Sequence, residues 1–115
     1  MRKVIAFAVV AATALTLAAT AMAATKNVRT GDDWFVRPSA TGFPTVRANR
    51  GDTIRWRNVG DRIHNATVRS GPSRWRASVI QPGRTFSQRV RRRGTYVIYC
   101  SIHGYPQQRM RLVVR

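Results

Sequence analysis

From Thr25 onward, apolar and polar positions alternate in short runs, each closed by Gly, Pro, Asn or Asp. No stretch repeats with the period of an amphipathic helix. The clearest run is Thr53 to Asn58, where Ile54 and Trp56 alternate with Thr53, Arg55 and Arg57. Period two of this kind predicts a strand with one buried face and its arginines turned to water. Thr95 to Cys100 places Tyr96, Ile98 and Cys100 on one face and Val97 and Tyr99 on the other. The last strand carries Met110, Leu112 and Val114 on a single face. Weaker extended runs cover Lys26 to Arg29, Trp34 to Arg37, Phe43 to Ala48, Ala66 to Arg69 and Arg84 to Val90.

Turn chemistry separates these runs. Gly31-Asp32-Asp33, Asn49 to Asp52, Val59 to Arg62 and Gln81-Pro82-Gly83 read as turns, Ser39 to Gly42 as a loop, and Arg91 to Gly94 as the close of a hairpin. Ser70 to Ile80 is irregular and is expected to lay Trp75 on the core, beside Trp34 and Trp56. Seven or eight short strands so punctuated predict an all-β fold, a Greek-key sandwich or barrel.

The N-terminus stands apart. Arg2 and Lys3 precede an uncharged run from Val4 to Thr20 and the small-residue box Ala21-Met22-Ala23. This is the pattern of a secretory signal peptide, with an uncleaved membrane anchor as the alternative. Residues 1–23 are expected to be the signal and 24–115 one domain, with no membrane span after cleavage. Cleavage takes Arg2 and Lys3 from a net charge of +17 and leaves +15 on 92 of the 115 residues. A charge of this size attracts anionic partners. A specific nucleic-acid role is not expected of an exported chain whose arginines are spread along it.

An exported domain with one cysteine makes no internal disulfide. Cys100 is therefore buried and inert, paired between chains, or held by a metal. Either His64 alone or the Cys100-x-x-His103 spacing alone is weak evidence. Together they are stronger, because both histidines of the chain and its only cysteine fall at strand ends that such a sandwich brings to one pole. Two imidazoles and a thiolate are the donor set of a trigonal copper site with a weak axial ligand.

GDTIRWRN (Gly51 to Asn58) followed by His64-Asn65, then PGRTFS (Pro82 to Ser87) and GTYVIYCSIH (Gly94 to His103), resembles the cupredoxin family of plastocyanin-like blue copper proteins. The resemblance covers Phe43 to Arg115. It implies one type I copper ion held by His64, Cys100 and His103, with Asn65 tying the two ligand loops together by hydrogen bonds. The chain departs from the common Cys-x₂-His-x₄-Met pattern, because Gln108 stands where the methionine is expected and Met110 follows two positions later. Gln108 is the favoured axial donor and Met110 the rival. An amide oxygen is the harder donor, so a lower reduction potential is expected than with methionine. Gly104, Tyr105 and Pro106 are expected to form an apolar apron around the edge of His103, and Tyr99, Tyr105 and Pro106 are candidate electron-transfer surface.

These expectations describe an exported one-electron carrier, periplasmic or extracellular, monomeric and not itself an enzyme. Its partner would be an acidic redox protein or an anionic envelope surface. A copper-handling module, or one that binds anionic surfaces on the same fold, is the alternative. The run Arg89 to Arg93 reads as a solvated turn or, functionally, as a steering patch.

Overall fold

The computed structural model describes residues 2–13, 22–38 and 43–115. The loop expected at Ser39 to Gly42 and the signal residues 14–21 lie outside the described residues. Residues 2–13 and 22–24 carry no helix or strand. Among the described residues, no helix is long and apolar enough to cross a membrane.

Eight strands follow in chain order: β1 (Thr25–Gly31), β2 (Trp34–Phe35), β3 (Thr45–Ala48), β4 (Thr53–Asn58), β5 (Thr67–Ser70), β6 (Thr85–Arg89), β7 (Gly94–Tyr99) and β8 (Arg109–Val114). They form two four-stranded sheets with the orders β2-β1-β4-β6 and β3-β8-β7-β5. β1 pairs parallel with β4, from Thr25 opposite Thr53 to Thr30 opposite Asn58. β3 pairs parallel with β8, while β4 with β6, β7 with β8 and β5 with β7 are antiparallel. The alternation read from the sequence is the alternation of burial. Ile54 and Trp56 from one sheet, and Tyr96, Ile98 and Leu112 from the other, are fully buried between the two. Trp56 lies at the centre, its ring 5.8 Å from Phe86 and 6.0 Å from Trp75, which in turn lies 5.7 Å from Tyr96. Burying side chains of this size contributes roughly 2 kcal/mol each.

Four expectations change. β2 is two residues long because Val36 adopts φ +71°, which no strand accommodates and which is costly for a β-branched residue. β3 begins at Thr45, after Phe43 and Pro44. Arg91 to Gly94 does not close a hairpin: β6 and β7 belong to different sheets, and the segment crosses between them with Val90 buried in the core. Trp34 is not a core residue. It is half-buried, with its ring over Gly31, where any Cβ would lie 2.1 Å from the indole.

Candidate metal centre

Three chain segments meet at one end of the sandwich: the β1–β2 turn, the connection from β4 to β5, and the loop between β7 and β8. Asn58, buried at the end of β4, organises the second. Its amide nitrogen donates to the carbonyls of Arg62 (2.7 Å) and Ile80 (2.8 Å), and its oxygen accepts from the Gly60 amide (2.9 Å). His64 then bridges backbone to backbone with Ile80 and is completely buried. Cys100 follows β7 directly, so the strand's alternation carries its thiol inward, also fully buried. The loop turns back at Gly104, whose φ of +87° suits glycine and whose amide donates to the Cys100 carbonyl at 2.8 Å.

This places Cys100 Sγ 3.9 Å from His64 Nδ1 and 3.4 Å from His103 Nδ1. The three donor atoms lie within 4.8 Å of one another. His103 is half-buried, its ring centroid 4.8 Å from that of His64. Asn65 spans the two loops: its Nδ2 donates to Ser101 Oγ (2.7 Å), and its Oδ1 accepts from the Ser101 amide (2.9 Å) and the Thr67 hydroxyl (3.0 Å).

Gln108 is fully buried at the same point, and its amide has only one sensible orientation. Nε2 donates to the carbonyls of Gly31 (2.7 Å) and Trp34 (2.9 Å), so Oε1 faces His64 Nδ1 at 2.9 Å. Flipping the amide would set an oxygen against two carbonyl oxygens. Met110 turns the other way. Its sulfur accepts from Trp56 Nε1 at 3.4 Å inside the core. Tyr99 and Tyr105 are half-buried and meet edge to face at 6.4 Å; Gly104 is half-buried and Pro106 exposed.

Sequence reasoning missed Asp32. Its carboxylate accepts from the amides of Asp61 (3.1 Å) and Arg62 (3.2 Å) and lies 2.8 Å from His64 Nε2. The Asp61 amide, then His64 and Arg62, hold its pKa down to about 2. The close approach depends on Gly60, where a Cβ would fall 2.3 Å from Asp32 Oδ1. In the sequence Asp32 looks like an ordinary turn residue. Its one signal is that it is among only four acids in the chain.

No protein-family model matches the chain, and no curated protein matches it. Solved structures do. Amicyanin from Paracoccus versutus superposes with a TM-score of 0.64 at 19% identity, covering 79% of this chain and 81% of that one. A Cu(I) methionine-to-alanine variant of amicyanin gives 0.64 at 24% identity, over 85% and 88% of the two chains. A Cu(I) methionine-to-glutamine variant gives 0.64 at 23%, over 79% and 82%. The fold is that of a cupredoxin.

The donor chemistry fits a metal ion. Asp32 is an acceptor, so it takes the Nε2–H of His64 and leaves a lone pair on Nδ1. The amide hydrogens of Gln108 are already engaged by carbonyls. What converges is then Nδ1 of His64, Oε1 of Gln108, Sγ of Cys100 and Nδ1 of His103, four atoms that are acceptors whenever the thiol is ionised. Acceptors 2.9 Å apart repel unless a proton or a cation joins them. Two imidazoles, one thiolate and a weak oxygen donor suit copper better than a hard cation, which takes oxygen ligands.

Proposed function

We propose that this chain is a small exported type I copper protein that carries one electron at a time. The observation supporting this is the convergence of His64 Nδ1, Cys100 Sγ and His103 Nδ1 beside an amide oxygen that has no hydrogen-bond donor of its own to offer. Copper, when bound, would supply a one-electron couple. The chain's part is to hold the donors still and keep water away. His64 and Cys100 are fully buried and Asn65 locks their loops together, so little reorganisation accompanies a change of charge. Gln108 is proposed as the axial donor: its orientation is imposed by Gly31 and Trp34, whereas the Met110 sulfur is engaged by Trp56. His103, half-exposed at the end of the sandwich, is the proposed point of electron entry and exit.

The proposed partner is an acidic redox protein. On the outer face beside the loop, guanidinium groups and rings alternate. Arg111 lies 4.3 Å from the Phe43 ring, and Arg109 lies 4.5 Å from Phe43 and 4.8 Å from Tyr105. Arg69 lies 3.7 Å from Tyr105 and 5.9 Å from Tyr99. Arg69 reaches these rings from a bulge in β5 between Val68 and Ser70. None of the chain's four acids belongs to this row. Arg109 Nη1 already donates to the Tyr105 hydroxyl at 2.6 Å, and the remaining N–H edges of the stacked guanidinium groups suit carboxylates. Residues 1–23 are the proposed signal, which would deliver the mature chain to the periplasm or the exterior.

Adding Cu(II) to the purified protein tests the reading. Intense blue thiolate-to-copper absorption that a reductant bleaches reversibly is the expected result. Colourless binding would favour copper handling, and no binding would leave an anion-binding module.

A further inference from the structure

A buried carboxylate waits at the first residue of the fold. Asp52 lies in the turn before β4 and is 2% exposed. One carboxylate oxygen accepts from the Asn49 amide at 2.8 Å, an ordinary turn contact. The other accepts from the Ala24 amide at 2.9 Å, from 28 positions away. Ala24 is also where the sheet begins: its carbonyl accepts from the Thr53 amide at 2.9 Å, and the parallel register of β1 on β4 starts at Thr25 opposite Thr53. Among the described residues, nothing before Ala24 makes a hydrogen bond, and Met22 is 90% exposed. The ordered fold and the small-residue box therefore abut at a single peptide bond, Ala23–Ala24.

We propose that this bond is the processing site, and that Asp52 is a built-in receptor for the α-ammonium group that hydrolysis creates on Ala24. Water adds across the bond, leaving a carboxylate on Ala23 and an amine on Ala24 that takes up a proton. A neutral amide donor to Asp52 becomes a cationic donor at the same position, and charge-assisted bonds of this kind are the stronger ones. Among the described residues no cation bonds this buried acid directly, and the Ala24 and Asn49 amides already hold its pKa below the usual carboxylate range. The charge of the Lys26 side chain, two residues on from Ala24, acts in the same direction more weakly. Processing thus completes the edge of the sheet as well as releasing the chain. This inference is independent of any metal.

The test begins with the full chain exported from a bacterial host. Intact mass should show a product of residues 24–115, and a different start would overturn the proposal. The exported product then carries a single lysine, Lys26, so Lys26→Arg leaves the α-amine as its one reactive amine. Acylation of that amine, read by mass spectrometry at pH 7.5, should run about tenfold slower in the folded protein than in urea, because a neighbouring carboxylate favours the unreactive ammonium form. Asp52→Asn should restore most of that rate, and Asp52→Glu, which keeps the charge if the Asn variant fails to fold, should preserve the suppression. Equal rates folded and unfolded, or suppression that survives Asp52→Asn in a folded protein, would overturn the assignment.

Discussion

Gln108 presents its amide oxygen to His64 Nδ1 at 2.9 Å because its nitrogen is already held by the carbonyls of Gly31 and Trp34. The two residues flanking the β1–β2 turn thereby decide which atom of a glutamine just before β8 faces the site. Gln108→Met should raise the reduction potential of the copper-loaded protein, since a thioether favours Cu(I) more than an amide oxygen does. A rise on the order of 60–120 mV corresponds to one to two powers of ten in a one-electron equilibrium, and voltammetry reads it directly. The same variant takes the side-chain donor from two carbonyls, Gly31's buried and Trp34's partly buried, so chemical denaturation should show a loss of about 1–3 kcal/mol. An unchanged potential would count against Gln108 as axial donor.

Met110→Leu is the matching control. The sulfur is occupied by Trp56 in the core, so a volume-conserving change should cost less than about 1.5 kcal/mol. The blue absorption and the potential should stay where they are. A large spectral change here would transfer the axial role to Met110.

Asp32 supports His64 from behind, and the support has a pH signature. Its pKa is lowered from 3.8 to about 2, chiefly by the Asp61 amide and then by His64. A lowered value means the folded state favours the charged form. The resulting stabilisation is fully present above pH 4 and lost as pH falls toward 2. Acid unfolding of wild type and Asp32→Asn should therefore converge near pH 2 and separate above pH 4. Asp32→Ala, which leaves the His64 N–H without an acceptor, should weaken metal affinity by about 10–100-fold in a chelator competition.

Gly60→Ala should reproduce the Asp32→Ala defect without touching a donor group. A methyl group at this position would sit 2.3 Å from Asp32 Oδ1 and displace the carboxylate from His64. Overpacking of this kind costs about 1–3 kcal/mol. A further loss of metal affinity in a Gly60→Ala, Asp32→Ala double variant relative to Gly60→Ala would contradict the linkage, because two changes acting through one contact are expected to be non-additive.

Much of this molecule was legible in its sequence because two-sided strands write their burial as alternation. Ile54 and Trp56, and Tyr96, Ile98 and Cys100, all point inward as their spacing requires. His64, Cys100 and His103 stood out because no other residues of those types exist to confuse them. What could not be read depends on partners distant in the chain. Asp32 reaches His64 only because β1 lies parallel to β4, a pairing that neither strand's own pattern specifies. The Arg91 to Gly94 segment has the composition of a hairpin turn, yet burial of Val90 pulls β6 and β7 into opposite sheets. Trp34 was misplaced for a similar reason. An aromatic in a short edge strand can cover a glycine as readily as fill a core.

The row of arginines and rings yields the prediction that bears most on partners. If docking uses this surface, charge should matter by position and not only by sum. Arg69→Gln with Arg111→Gln removes two charges from the row, while Arg55→Gln with Arg57→Gln removes two from the exposed face of the other sheet. Stopped-flow oxidation of the copper(I) protein by hexacyanoferrate(III), an anion, should slow about three- to tenfold at low salt in the first pair and much less in the second. Raising the ionic strength should erase the difference, since the Debye length shrinks to about 3 Å at 1 M. A cationic oxidant such as tris(phenanthroline)cobalt(III) should show the opposite preference. Equal slowing in both pairs would mean that net charge alone steers the encounter and that the stacking of Arg69 on Tyr105 serves only the fold.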